Sequence, residues 1–192
     1  MLSHKARYAL RALVELAREP SGQATTAELA LRADAPRKFL EAILLSLARH
    51  HLLTSRRGKF GGYALAKPAS EIGVGQLIRL IDGRLAPICC ASENAYQPCT
   101  CPDEDHCGLR MVMIDVRNAI ANILDRYTIA QVVEVTLRKM RRDGIVPPFA
   151  AADAIKLKDG VVKRKADPAD GFLAGLSQLA TFTQESNDNH RL

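Results

Sequence analysis

Five cysteines lie in one stretch of the chain: Cys89, Cys90, Cys99, Cys101 and Cys107, with His106 beside the last. Thiolates are soft ligands, so this concentration suits an iron–sulfur cluster or Zn²⁺. The spacing is not that of a zinc ribbon, which requires paired CxxC motifs. An odd number of crowded cysteines is also a poor disulfide framework, and metal ligands or redox thiols are the expectation. A second group of residues is basic: Arg56-Arg57-Gly58-Lys59-Phe60-Gly61-Gly62-Tyr63 interleaves cations with glycines. Such a turn lets backbone and charge approach a phosphate or the narrow minor groove of DNA, with Arg57 and Lys59 leading. The bland alternative is a solvated basic turn between two strands.

Catalysis has no visible constellation. His4, His50, His51, His106 and His190 are scattered, and His50-His51 closes a helix, where a cation is structurally ordinary. Walker loop, nucleophile elbow, HExxH and dinucleotide fingerprint are all missing, so an enzyme is not expected.

The elements that position these groups follow from periodicity. Residues 3 to 18 carry Ala6, Ala9, Leu10, Leu13, Val14 and Ala17 at helical spacing, ended by Pro20-Ser21-Gly22. Thr25 and Glu28 form a capping box that opens a short helix to Ala33. Asp34-Ala35-Pro36 is a short connection that places Pro36 in the first turn of a third helix, which buries Leu40, Ile43, Leu44 and Leu47. Leu53 to Ala66 reads as a hairpin, so three helices precede a basic wing. That order is a winged helix-turn-helix. Its second helix fits the major groove, where the N-terminal solvent face offers Arg37, Lys38 and Glu41 to guanine or phosphate, phosphate, and a cytosine amino group. Phe39 meets a thymine methyl or packs inward.

Gly73 to Asp82 is one further helix, capped by Gly83, and Pro87 to Gly108 is a cysteine-rich loop without helical periodicity. From Leu109, the residues Val112, Met113, Val116, Ile120, Ile123, Leu124 and Tyr127 continue one apolar stripe, long enough to predict packing against another chain. Thr128 with Gln131 opens a last helix carrying Ile129, Val132, Val133, Leu137 and Met140, stopped by Gly144 and Pro147-Pro148. In the tail, Ile155 to Val162 reads as a hairpin around Asp159-Gly160 and Phe172 to Phe182 as a short helix, although a partly disordered appendage fits its sparse apolar content better.

The 192 residues suit one compact domain with an attached module or tail. Aromatics make up 5% and Trp is missing, so Leu, Ile, Val and Ala must fill a mainly α core. The formal charge is +6 with a pI near 9.2. Residues 1–67 hold twelve Lys or Arg against five acids, so the excess is local to the winged head and favours double-stranded DNA as partner. Charges interrupt the first twenty residues and no later stretch is long and apolar enough to span a bilayer, so a cytoplasmic protein without a membrane partner is expected.

The residues Arg7-Tyr8-Ala9-Leu10-Arg11-Ala12-Leu13, Phe39-Leu40-Glu41, Arg57-Gly-Lys-Phe-Gly-Gly-Tyr63 with Leu65, Val74-Gly75 and the cysteine cluster resemble the Rrf2 family of bacterial regulators, typified by IscR, NsrR and RirA. The resemblance covers residues 1 to about 140. It implies a homodimeric winged-helix transcription factor reading a pseudo-palindrome, whose long helix crosses to its partner and whose cysteine loop holds an iron–sulfur cluster that senses iron, redox state or nitric oxide. The family's three-cysteine pattern maps onto Cys90, Cys101 and Cys107. Here the first gap is longer, Cys89 and Cys99 are extra, and Cys99 with Cys107 is an alternative pair. Arg110 stands where some relatives carry a ligating His, and Arg7 where nitric-oxide sensors carry an Asp. A fourth ligand is therefore open among Cys89, Cys99, His106 and a group from the partner. Rival readings are a zinc-binding or cluster-free thiol regulator and a small iron–sulfur electron carrier, the last of which leaves the basic wing unexplained. The expected organisation is a DNA-binding head at 1–83, a cluster loop at 84–108, dimerisation helices at 109–143 and a tail at 144–192.

Overall fold

The structure is a computed structural model and describes residues 2–58 and 61–145. Its elements are α1 (His4–Arg18), α2 (Thr26–Arg32), α3 (Arg37–Arg49), β1 (Leu53–Arg56), β2 (Gly62–Leu65), α4 (Val74–Asp82), α5 (Gly108–Leu124) and α6 (Ile129–Arg142). Single 3-10 turns occur at Ala69–Glu71 and Cys89–Ala91. Residues 1–133 form one compact unit and 134–192 a second.

In the first unit, Ser3 caps α1 by accepting from the Ala6 amide, and the helix buries Ala6, Ala9, Ala12, Leu13 and Leu16. Three alanines on this face allow neighbouring backbones to come close. The Thr25–Glu28 capping box is complete at the start of α2. Pro36 is the N-cap of α3, one position earlier than the sequence suggests, because its ψ of 125° is extended; its carbonyl accepts from Leu40. α3 buries Leu40, Ile43, Leu44 and Leu47 completely, a burial worth about 2 kcal/mol for each side chain.

Both helices of the helix-turn-helix end in Schellman turns. After α2, Ala35 donates to Ala30 and Asp34 to Leu31; after α3, Leu52 donates to Leu47 and His51 to Ala48. Asp34 (φ 48°) and His51 (φ 56°) take the left-handed position that glycine usually fills. Arg11 reaches across from α1 and donates to the Ala33 carbonyl at 3.2 Å, a further tie on the end of α2.

β1 and β2 pair antiparallel from Leu53 opposite Leu65 to Arg56 opposite Gly62. The chain before α2 adds a third short partner: Ala24 donates to Tyr63 at 3.0 Å and Tyr63 donates back at 2.8 Å. A Cβ on Gly62 would lie 2.6 Å from the Ala24 oxygen, so only glycine fits there.

α4 is stitched to the junction between α5 and α6. Val74 donates to the Tyr127 carbonyl at 2.8 Å, Ile129 donates to that of Ile72 at 2.9 Å, and Arg79 grips Asp125 through two bonds of 2.5 and 2.7 Å. Gly75 makes room for this carboxylate, since a Cβ there would lie 2.0 Å from its Oδ1.

The expected single stripe of α5 divides into two faces. Met113, Ile120 and Leu124 are half-buried toward the body of the unit, whereas Leu109, Val112, Val116 and Ile123 are exposed. Together with Ala119 the exposed set repeats at alternating intervals of three and four, the spacing of a coiled-coil seam. Among the described residues of α5 none is fully buried.

In the second unit, the rest of α6 carries the Glu134–Arg138 ion pair at 3.0 Å and a basic last turn, and it closes on Gly144 in a third Schellman turn. The hairpin and helix expected at 155–162 and 172–182 lie outside the described residues. Among the described residues no helix is long and apolar enough to cross a membrane.

Candidate DNA interface and cysteine loop

The N-terminal face of α3 presents Arg37, Lys38, Phe39 and Glu41 to solvent. Phe39 meets Tyr8 of α1 edge to face at 5.9 Å and 79° and still leaves 42% of its surface open, so it packs in part without being withdrawn from solvent. Arg56, Arg57 and Gly58 are exposed at the wing, where Gly58 (φ 110°) turns the chain and accepts from the Gly61 amide at 2.8 Å. A Cβ on Gly61 would lie 2.6 Å from the Arg56 oxygen. Lys59 lies outside the described residues. Tyr63 is half-buried; burial, and then the charge of Glu41, push its phenol above the ordinary value.

The cysteine loop is held to α5 by arginines. Arg110 donates from Nε to the Cys90 carbonyl at 3.1 Å, and Arg117, two turns on, donates to the Ala91 carbonyl at 3.2 Å. Both carbonyls belong to the 3-10 turn Cys89–Ala91, in which Cys90 and Ala91 are buried. Glu104 gathers the rest of the loop: it accepts from the Tyr96 hydroxyl at 2.9 Å and the Cys99 amide at 3.2 Å and pairs with Arg110 at 3.3 Å. Those donors hold the Glu104 carboxyl below its usual range, Tyr96 contributing most. Arg110, Arg117, Tyr96 and Glu104 were missed as site residues; the two arginines, seven positions apart on one face of an apolar helix, were the available signal.

The thiols influence one another electrostatically. Cys99 is the electrostatic neighbour that raises both the Cys90 and the Cys101 thiols, and Cys107 adds to the effect on Cys101. The Cys99 sulfur also accepts from the Cys101 amide at 3.3 Å. Desolvation raises the Cys90 thiol, while hydrogen bonding to Cys99 pushes Cys101 up to about 11. Cys89 stands apart, with its Sγ on the Arg84 guanidinium at 2.6 Å. His106 is bound through Nδ1 to Asp103 at 2.7 Å with its side chain 85% exposed. Among the described residues no three Cys, His, Asp or Glu side chains converge as a finished metal site. The donors present nevertheless fit a soft metal by their chemistry, since the loop supplies five thiols, and the carboxylate of Glu104 among them is already bonded.

The family model described as Rrf2, iron-dependent transcriptional regulator, matches residues 2–135. The chain belongs to the Rrf2 family. An rrf2-like HTH-type transcriptional regulator of Rhodobacter capsulatus is 42% identical over 134 residues, spanning 67% of this chain and 89% of its own. The HTH-type transcriptional regulator IscR of Serratia proteamaculans is 30% identical over 69% of this chain and 78% of its own. Among solved structures, CymR, the global cysteine regulator of B. subtilis, superposes with a TM-score of 0.58 at 25% identity, covering 70% of this chain and 96% of that one. The IscR structure of T. potens, at 24% identity and a TM-score of 0.57, shares the fold. The protein is accordingly a helix-turn-helix transcriptional regulator of mainly α, winged-helix architecture.

Proposed function

We propose that this Rrf2 member acts in the cytoplasm as a homodimer on a pseudo-palindromic DNA operator and adjusts its grip through an iron–sulfur cluster held by the cysteine loop. The heads would bind through Arg37, Lys38, Phe39 and Glu41 on α3 and through Arg56, Arg57, Gly58, Lys59, Gly61 and Tyr63 at the wing. Cys90, Cys101 and Cys107 are the ligands that the family pattern names. A bound cluster supplies charge and a redox state that respond to iron and oxidants.

The observation that carries this reading is the pair Arg110 and Arg117. They tie the backbone of Cys90 and Ala91 to α5, the helix whose exposed seam suits a second copy. A rearrangement of the loop thus acts on the helix that would set the distance between two heads. Coupling of this kind is a free energy shared by two sites, typically about 1–3 kcal/mol.

The test is a gel-shift of the protein, purified without oxygen and then stripped of metal, against its own upstream region. The expected outcome is iron and sulfide in the purified protein and different affinities for the two forms. Equal affinities, with a Cys90→Ala/Cys101→Ala/Cys107→Ala variant that binds as the parent does, would refute cluster control. The same thiols suit zinc, and a colourless protein with stoichiometric zinc would establish that reading instead.

A further inference from the structure

Phe39 is the only aromatic residue of α3. It stands beside the buried stripe of Leu40, Ile43, Leu44 and Leu47 rather than on it, and an aromatic ring on such a flank can swing between rotamers. Apolar contact is short-ranged: a gap of about 0.5–1 Å already forfeits about a quarter to a half of the attraction. Where the ring points therefore decides whether it reads a thymine methyl. Tyr8 of α1 restricts it, meeting Phe39 edge to face at 5.9 Å, and His4, one turn earlier, lies behind Tyr8 at 6.3 Å. Arg11, one turn later on the same face of α1, donates to the Ala33 carbonyl. Adjacent turns of α1 thus hold both sides of the short connection between α2 and α3: Arg11 the carbonyl at its start, Tyr8 the ring just beyond its end.

We propose that Tyr8 is a positioning residue for base readout, which holds the Phe39 ring where it selects thymine at one place in each half-site. The proposal rests on the reading of Phe39 as a DNA contact and deepens it, by making a residue outside the helix-turn-helix a determinant of sequence preference. Tyr8 acts through Phe39, so its loss alters discrimination between bases and leaves the phosphate contacts as they were.

The test uses the full-length chain and its upstream region, with each thymine of the footprinted half-site replaced singly by deoxyuridine. That change deletes the methyl group and leaves the hydrogen-bonding edge of the base intact. Wild type should lose roughly fourfold in affinity at one thymine, the worth of about one buried methyl, and Phe39→Ala should lose nothing there. Tyr8→Leu, which fills the space without a ring, should cut the loss to less than about twofold, and Tyr8→Phe should restore it. The slope of log K against log salt should stay the same in all of them, whereas a merely structural defect would weaken every oligonucleotide alike. A Tyr8→Leu variant that still tells thymine from uracil as wild type does would overturn the proposal and leave Phe39 a reader in its own right. A wild-type chain that binds the region but ignores every methyl would overturn the thymine contact and the proposal together, with the rest of the interface left standing.

Discussion

The DNA-reading head and the cysteine loop with α5 are stabilised in different ways. The head has a finished core: Leu13, Leu29, Leu40, Ile43, Leu44 and Leu47 are fully buried, α2 and α3 are closed by Schellman turns, and the wing is hydrogen-bonded to the chain before α2. The loop and α5 are held by a few directed polar bonds from Arg110, Arg117 and Glu104, while Leu109, Val112, Val116 and Ile123 remain open. A solvated stripe of this spacing has a purpose in an assembly. The contrast teaches that one half of the molecule completes its core within a single chain, whereas the other half leaves an apolar seam and a loop of thiols open.

The sharpest way to break this comparison is to charge the seam. Val116→Asp should leave the head folded, because Val116 is exposed, and should weaken the dimer by about 3–5 kcal/mol, or roughly a hundredfold or more, by burying an unpaired carboxylate. Analytical ultracentrifugation should find monomer where wild type is dimer, with an unchanged far-ultraviolet spectrum, and affinity for a two-site operator should fall with it. A wild-type monomer would remove the basis for two heads.

Substitutions within the head should act on DNA alone. Arg37→Ala should cost about 1–3 kcal/mol if its guanidinium reads a base, and should relax the preference at one operator position. Arg57→Ala should weaken binding evenly across sequences and lower the slope of log K against log salt by about 1, as loss of a phosphate contact requires. Fluorescence anisotropy at several salt concentrations separates the two, and both variants should keep the dimer.

The join between head and helix is tested at Arg79–Asp125. These side chains are 29% and 48% exposed, so screening limits the pair to about 1 kcal/mol despite its bidentate geometry. The Arg79 guanidinium holds the Asp125 carboxyl below its usual value. Its contribution is therefore present above the ordinary carboxylate range, near about pH 4, and is lost as pH falls through the depressed value. Asp125→Asn should lower stability at neutral pH and flatten the acid side of the profile. Gly75→Ala should cost more, about 1–3 kcal/mol, because its new methyl would occupy the place of the carboxylate oxygen. Urea melts at pH 7 and pH 3 measure both.

The head was readable in the sequence because each of its signals is local. A capping box, the aliphatic spacing in α3 and glycines around a basic turn each constrain a few neighbouring residues, and the structure carries all three. Contacts between distant residues were not readable. Nothing in Gly75 alone announces Asp125, and nothing in Ala24 announces Tyr63; both pairings exist only after the chain has closed on itself. The single apolar stripe of α5 was two faces because a periodicity marks which positions are apolar, not which partner covers them. In the loop, five similar cysteines gave no order of contact. What organises the loop is Glu104 and Arg110, which pair with each other and hold the Cys99 amide and the Cys90 carbonyl.

The smallest effect concerns the head alone and asks how far its local structure is from optimal. His51 closes the Schellman turn of α3 with φ 56°, a conformation in which an L side chain crowds its own carbonyl. Glycine adopts it without that penalty but has more freedom to lose on folding, so His51→Gly should stabilise by about 0.5–1 kcal/mol. The side chain is exposed and lies at the end of α3 opposite Arg37, so operator affinity should not change. A higher melting temperature with unaltered DNA binding would show that the recognition helix is ended by backbone geometry and positioned by its buried leucines. A loss of affinity would instead make the imidazole a DNA contact and extend the interface to the far end of the helix.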